Sequence, residues 1–372
     1  MKKTLLLSLA LGAGMLAAGA QAQMHTDMKP GMTQGHGQMG HGHMQAHGPT
    51  GLMGRHLLPK GKFMLAYRAG HMEMNGLRSG TTDLAADTLV TTVPNRFFGL
   101  PGQPPTVRVA PLWMKGDMQM LGAMYGLGDN VTLMAMLPYI KKEMASVTYA
   151  GPAGTAILGT SKMTSEGFGD ARIGAFWGLH RKGRSHAVAG LGLSLPTGSI
   201  TEHGPMLSPG GMRMVRRMSY GMQLGSGTYD LLPSLSWQTG MGRWNWGVHA
   251  SSVIRLGSND EGYSLGDEAA LNLWASYKPA KWVSYNARLE GRTVGRIDGI
   301  DPAIVMPTPG ADPLNYGGET VSLFAGVDLS PRTGVLKGHK FGLELGAPLH
   351  QDLNGPRLKQ DWSISFAWRK GF

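Results

Sequence analysis

Between residues 24 and 56 the chain carries six methionines and six histidines and a single acid, Asp27. The ligand candidates are Met24, His25, Met28, Met32, His36, Met39, His41, His43, Met44 and His47, followed by Met53 and His56. Thioethers are soft donors suited to Cu(I) or Ag(I), and imidazole suits Cu(II), Zn(II) and Ni(II). The near absence of carboxylates points away from Ca(II) and Mg(II), which take oxygen ligands. Spacings such as Met28-x3-Met32 and His41-Gly42-His43-Met44 let a flexible chain wrap one ion. The expected chemistry is a metal sink or carrier, with copper first. A low-complexity linker with incidental Met and His is the alternative.

Two further sets could act. Met118, Met120 and Met124 lie in GDMQMLGAMYGL, and Met134 and Met136 in NVTLMAMLPY. Their even spacing puts each set on one face of a strand. They would line a lumen that passes soft ions or apolar solutes, or act as flexible filler. Arg288, Glu290, Arg292 and Glu344 form a third set, expected on lumen faces. Paired carboxylates can do acid–base work, but a charge lattice that fixes a wall is the commoner use. No GxSxG, HExxH or phosphate loop occurs, so no enzyme and no required cofactor are expected.

The elements that must position these residues follow from the rest of the chain. Lys2 and Lys3, the apolar run after them, and Ala20-Gln21-Ala22 read as a secretory signal peptide over 1–22. There is no cysteine, hence no disulfide framework and no thiolate site. Charged residues are only 16% of the chain, and glycine, 57 of 372, is about double its usual share of roughly 7%. The net charge of +11 comes from scattered residues, which does not suggest nucleic acid. Residues 23–61 are polar and aperiodic and are expected to form a disordered periplasmic arm.

From residue 62 onward the pattern has period two. In KQDWSISFAWRKGF, Trp362, Ile364, Phe366, Trp368 and Phe372 share one face and Asp361, Ser363, Ser365 and Arg369 the other. Twelve such segments are expected: 62–74, 115–127, 131–147, 168–180, 186–197, 222–239, 243–257, 265–278, 281–293, 318–329, 339–350 and 359–372. Short and long connections alternate between them. A soluble sandwich has no reason to sort its loops in that way. An antiparallel transmembrane β-barrel of about 12 strands does, with short turns at one end and long loops at the other. The fold class is therefore all-β, an outer-membrane barrel over 62–372. Aromatics cluster at segment ends (Trp237, Trp244, Trp246, Trp274, Trp282, Trp362, Trp368), where interfacial girdles need them. The long stretch 75–114 is expected to be a plug or a lid.

LGAMYGLGDNVTLMAMLPYIKKEM (121–144), LSLPTGSI (193–200), LGSGTYDLLPSLSW (224–237), GRIDGIDP (295–302) and LKGHKFGLELGAPLHQDLNGPRLKQDWSISFAW (336–368) carry a resemblance. They resemble the outer-membrane barrel family labelled MetA-pathway of phenol degradation. That resemblance implies a channel for hydrophobic or aromatic compounds and supplies no catalytic residues. In composition the arm is similar to that of outer-membrane copper-resistance proteins. The expectation is an outer-membrane transporter-like barrel of a Gram-negative cell, with a periplasmic metal-binding arm that handles copper. The alternatives are a passive channel for small hydrophobic or aromatic compounds and a structural barrel without conduction. The expected partners are outer-membrane lipid, metal ions or small apolar solutes, and the barrel-insertion machinery, which the terminal Phe372 would address.

Overall fold

Lipid gives a strand no water for its backbone N–H and C=O groups, so a membrane-spanning sheet must close on itself. The computed structural model describes residues 48–52, 54 and 56–372, all in the unit Met44–Phe372. Its first elements are β1 (Phe63–Gly80), β2 (Thr82–Leu84), helix α1 (Ala86–Thr92), β3 (Val109–Gly128) and β4 (Val131–Tyr149). β5 (Ile157–Phe168), β6 (Arg172–Lys182), β7 (Ser185–Ser194), β8 (His203–Leu207) and β9 (Arg213–Arg217) follow. Next come β10 (Asp230–Met241), β11 (Trp244–Arg255), β12 (Tyr263–Ser264), β13 (Glu268–Ala280) and β14 (Val283–Val294). The last are β15 (Asp298–Gly299), β16 (Gly318–Leu329) and β17 (His339–Gly371). Among the described residues no helix is long and apolar enough to cross a membrane.

The ring runs β1-β3-β4-β6-β7-β10-β11-β13-β14-β16-β17 and returns to β1. That is eleven elements, every pair antiparallel, and an odd ring of antiparallel neighbours cannot close. The closure comes from β17, which reverses direction. Residues 341–353 pair with β16 and residues 353–371 pair with β1. The two halves also face each other. Trp368 Nε1 donates to His339 Nδ1 at 2.9 Å, and the rings of Phe341 and Phe366 are 6.4 Å apart. β17 therefore supplies two staves, and the barrel has the twelve that the sequence pattern implies. The seam ends on Phe372, whose N–H donates to Phe63 O at 2.8 Å.

Short connections after β3, β6, β10, β13 and β16 define a turn end, and the long ones define a loop end. Along the staves, burial alternates. Leu121, Leu127, Leu133, Leu271, Leu289 and Leu345 are exposed on the outer face, while Asn272, Ser276, Asn286, Arg288 and Glu344 are buried within. This inverts the arrangement of a soluble protein and matches a barrel with lipid outside and a wet interior. Trp237, Trp244, Trp246 and Trp282 are exposed on the outside towards the turn end, as a girdle requires. Trp274, expected in that girdle, instead points inward and is buried.

Its reason is a cross-strand glycine. Trp274 lies opposite Gly247, where a Cβ would come within 2.8 Å of the indole. Phe176 covers Gly190, and Phe324 covers Gly346. Each of these three inward aromatics thus lies over a position of the neighbouring stave that has no side chain of its own. This arrangement accounts for part of the glycine excess and fills the lumen wall without widening it.

Gly190→Val would place a branched side chain where its Cβ alone meets the Phe176 ring at 2.6 Å. The expected loss is about 1–3 kcal/mol, as for overpacked cores. Gly291 has nothing within 4 Å of an added Cβ, so Gly291→Val should stay within about 0.5 kcal/mol. Urea unfolding in detergent micelles measures both.

Candidate transport pathway

A barrel of twelve staves leaves a lumen, and the chain fills part of it with its own N-terminal approach. The described residues among 48–61, placed by the sequence reading in an arm outside the barrel, run through the lumen near the turn end. Gly61 N donates to Gly126 O at 2.8 Å, and Gly126 N donates to Lys62 O at 2.9 Å. A Cβ on Gly126 would overlap the Pro59 carbonyl, so only glycine lets the backbones pass this closely. Leu58 N donates to Thr132 Oγ1 at 2.8 Å. Further along, Thr50 Oγ1 donates to Asp328, while Arg68 donates to the Thr50 carbonyl and, at 3.3 Å, to Gly51 O. Asn286 donates to the other oxygen of Asp328. An aperiodic segment can be buried here because wall side chains satisfy its backbone. Composition alone carries no trace of those partners, which lie far along the chain. The candidates from Met24 to His47, and Met53, lie outside the described residues.

Two chemically different walls face this plug. On β1, β3 and β4, Met64, Met120, Met124, Met134 and Met136 pack together with Leu57 and Phe176. Met118 lies opposite Gly70 and Ile140, is half-buried, and does not join that cluster. Across the ring, Arg288 is held by Glu344 at 2.6 Å, by Glu290 at 2.7 Å and by Asn272 Oδ1 at 2.6 Å. Its guanidinium also stacks over Phe324. Arg292 pairs with Glu268, which reaches Arg255 at 3.2 Å, and Arg255 reaches Asp230 at 2.6 Å. These carboxylates are matched by arginines along the wall, which is the arrangement of a charge lattice. Asp230 and Arg255 extend the expected set, and their alternation was the signal available for finding them.

At the loop end, four connections and β5 converge on an apolar cap. Met163, Met206, Met218, Met222 and Met306 pack with Phe97, Tyr220, Tyr263 and Ile304. Arg217 ties the connections together through Glu261 at 2.7 Å and the fully buried Asp301 at 2.9 Å. Burial pushes the Tyr220 phenol up to about 12 and raises Tyr263 and Tyr316 as well. All three therefore stay neutral in the cap. The stretch expected as plug or lid packs at the loop end, where its Phe97 joins the cap. Leu89 and Val90 of α1 are buried against Val107, Ala110 and Tyr149. Arg108 pins the adjoining backbone through Ala150 O at 2.8 Å and Gly151 O at 3.0 Å.

Between cap and plug the ladder of the wall has a break, covered by Met222, whose carbonyl accepts from Ser165, and by Leu224 against Gly167. β6 pairs with β4 only over Val131–Met136, and from Tyr139 upward β4 pairs with β5 instead. Among the described residues, β5 has no ladder partner on its other edge. The edge-to-face pair Tyr139–Phe168, centroids 5.4 Å apart, marks the level where the break begins. Leu224 and Ile140 crowd Gly167 and Gly169 there.

No family model matches the chain, and no curated protein matches it in sequence. The shared fold is seen in structure instead. The COG4313 outer membrane channel from Pseudomonas putida F1 superposes with a TM-score of 0.54 at 13% identity, over 86% of this chain and 99% of that one. The Pseudomonas putida toluene transporter TodX matches with a TM-score of 0.40 at 9% identity, over 84% of this chain and 90% of that one. At the level of fold, the chain is an outer-membrane-type β-barrel.

Gly126→Val should expel the plug by steric overlap, and Asp328→Ala should release its Thr50 anchor. Both variants are expected to raise single-channel conductance in planar bilayers several-fold over the parent chain. Unchanged conductance in both would mean that residues 48–61 do not close the lumen.

Proposed function

We propose that this protein is an outer-membrane channel for small apolar solutes, with its turn end in the periplasm and its straight path closed by residues 48–58. The observation that carries this reading is the break beside β5, placed above the plug and below the apolar cap. A polar solute needs a continuous wet lumen, and here the plug fills it. An apolar solute needs only contact surface that does not hold water, and the cap of methionines and neutral tyrosines offers that. From the cap, the ladder-free edge of β5, where Leu224 lies against Gly167, would open as a sideways exit at the level of the membrane interface. The likeness in fold to an outer membrane channel supports the same reading. The copper-handling arm rests on residues outside the described ones and adds nothing to it.

Paired Gly167→Cys and Leu224→Cys substitutions introduce the only thiols in the chain. Under oxidation they should stitch the break shut. Cells bearing the oxidised variant should take up a radiolabelled aromatic hydrocarbon several-fold more slowly, and a reductant should restore the rate. Uptake that ignores the thiol state contradicts the sideways exit. Uptake equal to that of cells lacking the protein before oxidation favours a structural barrel.

A further inference from the structure

We propose that the methionine wall beside the plug binds one soft monovalent cation of the Cu(I) or Ag(I) kind, held by thioethers and by His56. Three of the methionines form a single row across adjacent staves. Met64 lies opposite Met124, and Met124 lies opposite Met134. Directly opposed residues in an antiparallel ladder have Cβ atoms about 4.5–5.5 Å apart. Met120 and Met136 flank the next inward position, where β3 has Gly122. Gly122 and its partner Ala66 leave a dent, and the five flexible side chains lean around it.

The dent is a cavity of about 50 Å³ lined by Met64, Met120, Met124, Met134, Met136 and, from the plug, His56. Its size separates the possible occupants. A cavity that takes benzene measures about 150 Å³, so a transported aromatic does not fit, whereas one ion does. The donor set separates the possible metals. No carboxylate lines the cavity, and among the described residues no group of three His, Asp or Glu could hold a metal. Five thioethers with one imidazole suit a soft ion. Arg68 and Arg369 also line the cavity. Their charge opposes any cation, a divalent one twice as strongly as a monovalent one, so the ion must be monovalent and held by thioether bonds that outweigh this repulsion.

Methionine is a common filler of irregular gaps, but the sequence uses it selectively here. The outward positions of the same staves are Leu121, Ala123 and Tyr125 on β3, and Leu133, Ala135 and Leu137 on β4. Leucine serves where only apolar surface is needed, and sulfur appears on the inward face. This site is distinct from the solute pathway: it lies beside the plug and faces the lumen, although its Met136 ends the β4–β6 ladder just below the break.

The test uses the full-length chain in detergent and silver nitrate in chloride-free buffer. Met124→Leu, Met134→Leu and Met136→Leu are combined, a volume-conserving change that cores tolerate. Silver retained after gel filtration is counted by mass spectrometry. The parent chain should hold one ion more than the variant, because residues 24–47 are the same in both. Mapping peroxide oxidation of the parent then locates the ion. Silver should slow sulfoxide formation at Met64, Met120, Met124, Met134 and Met136 about tenfold, and His56→Ala should weaken that protection. Equal silver content in parent and triple variant overturns the proposal, as does wall methionine oxidation that silver leaves unchanged.

Discussion

Everything in this molecule follows from the need to pair backbone groups where no water is available. A strand edge left open in hydrocarbon costs several kcal/mol for each unsatisfied group. The seam between β1 and β17, from Phe63–Phe372 upward, removes that edge. Closure demands an even number of staves, and it is met by folding the last element back on itself. It also fixes the register, and the register decides which side chain meets lipid and which meets the lumen. A slip of one residue in the ladders of β14 and β17 would send Arg288 and Glu344 into the bilayer.

Once the register is set, the interior becomes chemically asymmetric. One half is thioether and the other is an arginine–carboxylate lattice. The plug lies between them and draws on both, with Leu57 against the methionines and Thr50 on Asp328. Removing one partner from a buried ion pair costs about 3–5 kcal/mol. The lattice around Arg288 is thus a rigid surface, well suited to holding a plug in place. The methionine half is soft and polarizable and adapts to what lies against it.

Much of the barrel was legible in the sequence because lipid writes a strict alternation. Residues 318–329 match β16 to the residue, and the inward placement of Arg288, Glu290, Arg292 and Glu344 followed from the same count. What escaped lies where that alternation fades. β5 was expected as part of a loop. Its inward Ser161 and Ser165 alternate with outward Lys162 and Glu166, because it stands above the apolar band, where both faces can be polar. The plug escaped because its polar backbone is satisfied by distant residues such as Thr132 and Arg68, which no local pattern reveals. Trp274 was misplaced because its determinant, Gly247, sits on the neighbouring stave.

The claim beneath all of this is that alternate residues of each stave face hydrocarbon and a partly filled lumen. Spin labels placed one at a time along residues 120–127 of β3, in lipid bilayers, test it most directly. Collision with oxygen should rise at 121, 123, 125 and 127 and fall at 120, 122, 124 and 126, with contact to a water-soluble nickel chelate low at the odd positions. A uniform profile along the stave, or oxygen maxima at the even positions, would contradict the barrel as drawn and the inward methionine wall with it.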